Sequence, residues 1–229
     1  MTSAYENPSS LNTFSTRRDV SQVCHSAYVI DTDGVLVHLA IADPPYLGRA
    51  AVWYGTTMGK SQLSVRDGGT SKTGVRPADR HPLAHEWDNP DRHEELVHAL
   101  IDNYDGWALA MAHDNLRDIL PMVPASVPVR VGIWTKTQPM PSGARVMNVY
   151  EPVIVRVPEG RRASNGCEIF PRDSVTIPRL NNGFAGSKPP AWTRWVLDLM
   201  GYDPEADEVD DLFGGSGAVA RELAQGVLV

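Results

Sequence analysis

The run Val35 to Ile41, Val-Leu-Val-His-Leu-Ala-Ile, is ended after Ala42 by Asp43-Pro44-Pro45. Proline carries no amide hydrogen and has a fixed φ, so neither proline can extend a sheet ladder. A short apolar run cut off this sharply suits a buried parallel strand. Whatever follows Ala42 then stands at a strand's carboxyl end, where chemistry in open α/β sheets is carried.

The rest of the chain alternates in the same style. Asp91 to Tyr104 carries Leu96, Val97, Leu100 and Ile101 at helical spacing, with Pro90 at its entry and Asp88 or Asn89 available as a cap. Trp107 to Ala112 reads as a second buried strand, Asn115 to Leu120 as a short helix and Val127 to Trp134 as a third strand. Tyr150 to Val157 reads as a fourth strand, in hairpin relation to the third. Ala191 to Met200 places Trp192, Trp195, Val196, Leu199 and Met200 on one stripe, which predicts another helix. Glu208 to Phe213 then feeds a glycine-rich turn and a last helix from Ala218 to about Ala224. Strand and helix in alternation predict a three-layer α/β sheet, largely parallel.

The 229 residues, 42% of them hydrophobic, fit one globular domain spanning residues 27–229, preceded by a loosely held arm at 1–26. No apolar run approaches the roughly 20 residues of a membrane span, and Met1 to Arg18 is polar, so a soluble, cytoplasmic protein without membrane association is expected. Cys24 and Cys167 share no spacing with other metal-type ligands and read as free thiols. His81, His85, His93 and His98 lie close together, but helical geometry puts His93 and His98 on different faces, so no metal site is expected.

A net charge of -7 argues against a nucleic-acid-binding surface that covers the whole protein. The charge is uneven, however. Arg49 to Arg80 holds six Lys/Arg against two acids, and Arg156 to Arg194 seven against three, whereas Asp198 to Asp211 holds seven acids and no base. A basic cleft on an acidic body is one reading and solvated loops another. Residues 56–81, rich in Gly, Ser and Thr, read as a long mobile loop whose Lys60, Lys72 and Arg76 are placed to follow a phosphate backbone.

Two motifs carry chemistry. Asp43 and the Pro44 carbonyl can each accept a hydrogen bond from an N–H donor, and Tyr46 offers a ring face for stacking. On its letters alone the tetrapeptide also fits a rigid turn. The second motif, Asp211-Leu212-Phe213-Gly214-Gly215-Ser216-Gly217, places glycines between a strand and a helix, where backbone can approach a ligand and a helix N-terminus favours an anion. No Gly-Lys-[Ser/Thr] follows, which excludes a Walker loop.

Together these segments resemble the S-adenosylmethionine-dependent DNA amino-methyltransferases that act on adenine N6 or cytosine N4. Asp43-Pro44-Pro45-Tyr46 is similar to their [Asp/Asn/Ser]-Pro-Pro-[Tyr/Phe/Trp] signature, and 211–217 to their Asp-Pro-Phe-x-Gly-Ser-Gly loop, with Leu212 in place of proline. Gly186-Ser187-Lys188-Pro189, the aromatic helix and the acidic turn from Gly201 to Asp210 follow in the family's order, and the catalytic motif precedes the cofactor motif, as in the permuted β-class. The resemblance spans roughly residues 38 to 225. It implies a Rossmann-like methyltransferase sheet and catalysis at Asp43, Pro44, Pro45 and Tyr46. It also implies cofactor contacts from Lys188, Pro189, Asp211, Phe213, Gly214, Gly215, Ser216 and Gly217. Tyrosine after Asp-Pro-Pro leans towards adenine N6. Trp53 and Tyr54 are candidates to line a base pocket, and Trp134 and Lys136 to flank the cleft. Tyr150-Glu151-Pro152 is similar to a segment that closes over the base in relatives.

Only twelve residues follow Gly217, so the strand whose acidic end binds the cofactor ribose, about 20 residues beyond such a turn, is expected to be missing and the fold incomplete at its cofactor half. Target contacts are left to 56–81 and 161–182. The alternative function is a non-catalytic methyltransferase-like protein that binds nucleic acid or a partner subunit, with a homodimer as a further possibility.

Overall fold

The structure, a computed structural model, describes residues 36–54, 82–140, 145–162, 170–180, 187–215 and 217–226. The N-terminal arm, the 56–81 loop with Lys60, Lys72 and Arg76, both cysteines, His81, Ser216 and the side chain of Trp53 lie outside the described part.

Six strands form one mixed α/β sheet: β1 (Val37–Ala42), β2 (Gly106–Ala110), β3 (Arg130–Met140), β4 (Asn148–Arg156), β5 (Ser174–Thr176) and β6 (Asp207–Asp211), in the order β5-β3-β4-β2-β1-β6. The pairings β1–β2, β1–β6 and β3–β5 are parallel, whereas β4 runs antiparallel to both β2 and β3. The expected parallel bias thus holds at β1–β2, β1–β6 and β3–β5 and fails only at the two pairings of β4. The connection between Met140 and Asn148 is too short for a crossover, so β3 and β4 close as a hairpin and β4 inserts beside β2. Three-residue β5 gave no periodic signal and was not expected.

Helices cover both faces. They are α1 (Ala50–Tyr54), α2 (Pro90–Asn103), α3 (Leu116–Ile119, between two 3-10 turns), α4 (Pro190–Met200) and α5 (Ala218–Gly226). Side chains alternate across a strand. Leu39 and Ile41 of β1 join Ala108, Trp134, Val153 and Val155 under Trp192, Trp195, Val196 and Met200 of α4 and Val219 of α5. Ala40 and Ala42 join Trp107, Leu109 and Ile154 over Val97 and Leu100 of α2 and Ile119 of α3. The result is the three layers that the alternation predicts.

Local chemistry sets the element ends. Asn89 caps α2, its side-chain oxygen accepting from Asp91 N at 3.1 Å, with Pro90 in the first turn where a missing N–H costs nothing. The buried stripe of α2 is His93, Val97 and Leu100, while His98 is exposed. Helix α4 stops at Gly201, whose φ of 70° closes a left-handed turn in which Tyr202 N donates to Leu197 O at 3.0 Å. On β3, Gly132 lets Trp195 lie against the sheet: a Cβ there would stand 3.0 Å from the indole. Among the described residues no helix is long and apolar enough to cross a membrane.

Candidate functional site

Strands β1 and β6 are parallel neighbours, and Ile41 is in register with Asp211. The two motifs, far apart in sequence, therefore leave the sheet side by side at the same end, and Leu212 N donates to Ile41 O at 3.1 Å as they part. Asp211 is raised by burial and by the nearby charge of Asp43, against a hydrogen bond from Phe213 N. Carboxyl ends of adjacent parallel strands are where open α/β sheets hold ligands.

Leu39 and Ile41 face α4, and the next residue of that phase is Asp43. On the same face of the β3–β4 hairpin stand Trp134, Lys136 and Glu151: Trp134 is directly opposite Glu151, and Lys136 is its diagonal neighbour. Lys188 enters from the segment that leads into α4. Its Nζ lies 2.6 Å from each carboxylate oxygen of Asp43, donates to Tyr46 Oη at 3.0 Å, and is 3.7 Å from Glu151 Oε2. Tyr46 Oη in turn donates to Glu151 Oε2 at 3.1 Å, and the other Glu151 oxygen accepts from Lys136. The Lys188 ammonium also lies 5.4 Å from the Tyr46 ring centroid and 5.5 Å from that of Trp192, both within cation–π range. Lys136 has the same relation to Trp134 at 5.2 Å.

Two carboxylates and two ammoniums thus share one cluster, and their partners differ in number. Glu151 touches both lysines. Burial would raise its carboxyl, yet Lys188, Lys136 and the two hydrogen bonds outweigh burial and hold it below its ordinary range. Of the two lysines Asp43 has Lys188 alone: burial raises it, Lys188 and a hydrogen bond with Tyr46 offset only part of this, and the charge of Glu151 adds to the rise. Lys188 is held protonated, because Asp43 and Glu151 together overcome the burial that would lower it. Burial and the two carboxylates push the Tyr46 phenol well up, so it stays neutral and donates. Tyr54, at the end of α1, is raised by burial and by Asp43, which puts it at the edge of the same cluster. Of the two carboxylates, Asp43 is the one readier to take a proton.

The glycine-rich turn is framed separately. Gly215 and Gly217 have φ of 31° and 67°, values that favour glycine, and Gly217 N donates to Gly214 O as the chain turns into α5. Gly214 and Gly215 are exposed, and a Cβ at Gly214 would meet only Asp211 Oδ2 at 3.8 Å, so the turn offers bare backbone and a helix N-terminus to a ligand. This fits an anionic or carboxylate-bearing cofactor. Phe213 packs edge-on against Trp87 at 5.0 Å, and Trp87 packs edge-on against His93 at 5.4 Å. Next to it, Asp88 accepts from Ala50 N at 2.8 Å and from Ala51 N at 2.9 Å, capping the helix that follows the Asp-Pro-Pro-Tyr turn. The 3-10 turn Pro82–Asp88 therefore ties the two motif loops together.

The structure brings Asp43, Tyr46, Tyr54, Lys136, Glu151 and Lys188 into one cluster. Lys188, expected from the resemblance to contact a cofactor, has its ammonium on Asp43. Glu151 was noted in the sequence only as part of a tripeptide; the stronger signal was a single acid at the head of the buried run Pro152 to Val155. Trp87 and Asp88 had no signal as a bridge, since their partners lie far along the chain. Within the second basic stretch, Arg161 is not free for target contacts. Its side chain is 10% exposed and paired bidentately with the fully buried carboxylate of Asp207. Trp134 is buried, with its indole N–H on Ile177 O at 2.9 Å, and serves as wall. His113 and Tyr150 stack edge-on at 5.9 Å.

No family model matches this chain, and no curated protein matches it. Among solved structures it is similar to one described as the crystal structure of an M1.HpyAVI–SAM complex, at 14% identity and a TM-score of 0.49, over 84% of this chain and 79% of that one.

Proposed function

We propose that this protein is an S-adenosylmethionine-dependent DNA amino-methyltransferase acting on adenine N6. The observation that carries the reading is the register of β1 with β6, which sets the Asp43-Pro44-Pro45-Tyr46 turn beside the Asp211–Gly217 turn at one end of the sheet.

In this reading the Asp211–Gly217 turn and the N-terminus of α5 hold S-adenosylmethionine, which supplies the methyl electrophile. The protein's own groups handle the amine. An exocyclic amino nitrogen is a poor nucleophile while its lone pair is delocalised into the base, and two acceptors on its hydrogens favour the tetrahedral nitrogen that attacks. In this reading Asp43 and the Pro44 carbonyl are those acceptors. Methyl transfer would break the cofactor's bond between sulfur and methyl as the N–C bond forms, and the nitrogen would then have to shed a proton. Asp43 suits that step, because burial has raised its proton affinity above that of an ordinary aspartate. Tyr46, kept neutral and hydrogen-bonded to Glu151, offers a fixed ring for a base to stack on.

Methyl transfer from labelled S-adenosylmethionine to adenine-containing DNA tests the reading, with Asp43→Ala as control. Expected is incorporation by the native chain and a loss of about 10²-fold or more in the variant, the scale of one lost transition-state contact. Equal incorporation by both proteins would remove Asp43 from the reaction.

One observation favours a second reading. Asp43 already has both oxygens on Lys188, a self-satisfied site that also suits a non-catalytic subunit. Calorimetry with S-adenosylmethionine separates the two: saturable binding that Gly215→Asp abolishes supports the enzyme, and no binding by the intact chain supports the subunit.

A further inference from the structure

The Lys188 ammonium occupies the place on Asp43 that an incoming amino group needs. It makes two 2.6 Å contacts with the carboxylate and a third with Tyr46 Oη, which uses every hydrogen it has. Each Asp43 oxygen is thereby engaged by the ammonium, and a substrate N–H that takes the same position on the carboxylate has to displace it. Full withdrawal of the ammonium from the pocket would strand a buried cation, and its side chain is only 7% exposed. A second berth exists beside it. Glu151 Oε2 is 3.7 Å from the same nitrogen and already accepts from the Tyr46 hydroxyl, so a displacement of about 1 Å would turn that gap into a hydrogen bond.

We propose that Lys188 is a placeholder for the substrate's amino group on Asp43 and that Glu151 is the carboxylate to which it moves when the amino group arrives. The inference rests on the amino-methyltransferase reading and adds to it a step of substrate admission. No bond is made or broken in this step: one N–H donor replaces another on Asp43, and the ammonium exchanges one carboxylate for the other. Its use is twofold. An empty site keeps its buried carboxylate satisfied, and only a base that brings an N–H donor can replace the ammonium on Asp43, so a base lacking the amino group is rejected. Glu151 is accordingly a positioning residue that acts through Lys188. Lys136, on its other oxygen, holds it ionised and in place.

The experiment is a double-mutant cycle read by DNA binding in the presence of demethylated cofactor. The two probes are oligonucleotides that differ only in carrying adenine or amino-free purine at the target position. In the native protein the adenine probe binds more tightly. Glu151→Gln is expected to weaken the adenine probe by about tenfold and the purine probe by less than twofold, because the ammonium has lost its second berth. In the Lys188→Met background the same Glu151→Gln change is expected to cost nothing further. An equal loss with and without Lys188 would overturn the proposal and leave Glu151 as a support for the Tyr46 ring. Should either variant fail to fold, the native protein decides. The Lys188 side-chain 15N resonance is expected to move on adding the adenine probe and not the purine probe, and an unmoved signal overturns the placeholder. Native methyl transfer with an additive cycle removes the placeholder alone, whereas absence of both cofactor binding and methyl transfer removes the parent reading with it.

Discussion

Lys188 links three of the ionisable groups of the cluster, Asp43, Tyr46 and Glu151, and its removal is the sharpest residue-scale test of how they are held. Replacing it with methionine leaves Lys136 on Glu151 and removes the cation from Asp43, and an uncompensated buried charge costs several kcal/mol. A loss of roughly 3 kcal/mol is expected in urea unfolding at neutral pH, towards the low end for such pairs because a quarter of the Asp43 side chain still meets water. Asp43→Asn in the same background should recover part of it, since the stranded charge is then gone. The sequence named Asp43, Tyr46 and Lys188 as motif members from their neighbours in the chain. It did not show that they touch, because hydrogen-bond partners about 140 residues apart leave no local pattern.

Among the elements, the 3-10 turn Pro82–Asp88 has the least sequence signal for the work it does. Asp88 satisfies two otherwise orphaned N–H groups at the start of five-residue α1, a helix too short to persist on its own. Asp88→Ala should cost about 1–2 kcal/mol and raise amide exchange at Ala50 and Ala51 above all other described positions, while exchange in α2 stays nearly unchanged. A different constraint acts between β3 and α4. Gly132→Ala would place a methyl 3.0 Å from both Trp195 and Val153, and a destabilisation of about 1–3 kcal/mol is expected from thermal melting. The stripe on α4 was legible as helical from its spacing; that its tryptophan lies directly on a glycine of a distant strand was not.

For the whole molecule, pH and ligand give the remaining tests. His93 is buried with Nε2 on Trp87 O at 2.9 Å; burial lowers its pKa more than that bond and the charge of Asp88 raise it. A folded value below the unfolded one means the unfolded chain binds more protons, so stability falls as protons are added. The contribution is fully present above the unfolded value of about 6.5 and is lost as pH drops through the folded one. Urea midpoints measured from pH 7.5 down to 5.5 should fall, and should fall less in His93→Gln. S-adenosylmethionine at 100 times its dissociation constant should add about 2.7 kcal/mol, seen as a raised melting temperature that Gly215→Asp abolishes. The sequence by itself determined the layers and most of the elements, because hydrophobic period and turn residues are local properties of a chain. It also determined that Asp43-Pro44-Pro45-Tyr46 stands at a strand's end, since the prolines cannot continue the ladder. Only the tertiary structure decided that β6 pairs with β1 in the register that joins the two motifs, that β4, legible as the hairpin partner of β3, inserts beside β2 and carries Glu151 to the site, and that Arg161 is committed to Asp207. Those outcomes depend on which strands become neighbours, and strand order is fixed by packing between segments that are remote in sequence.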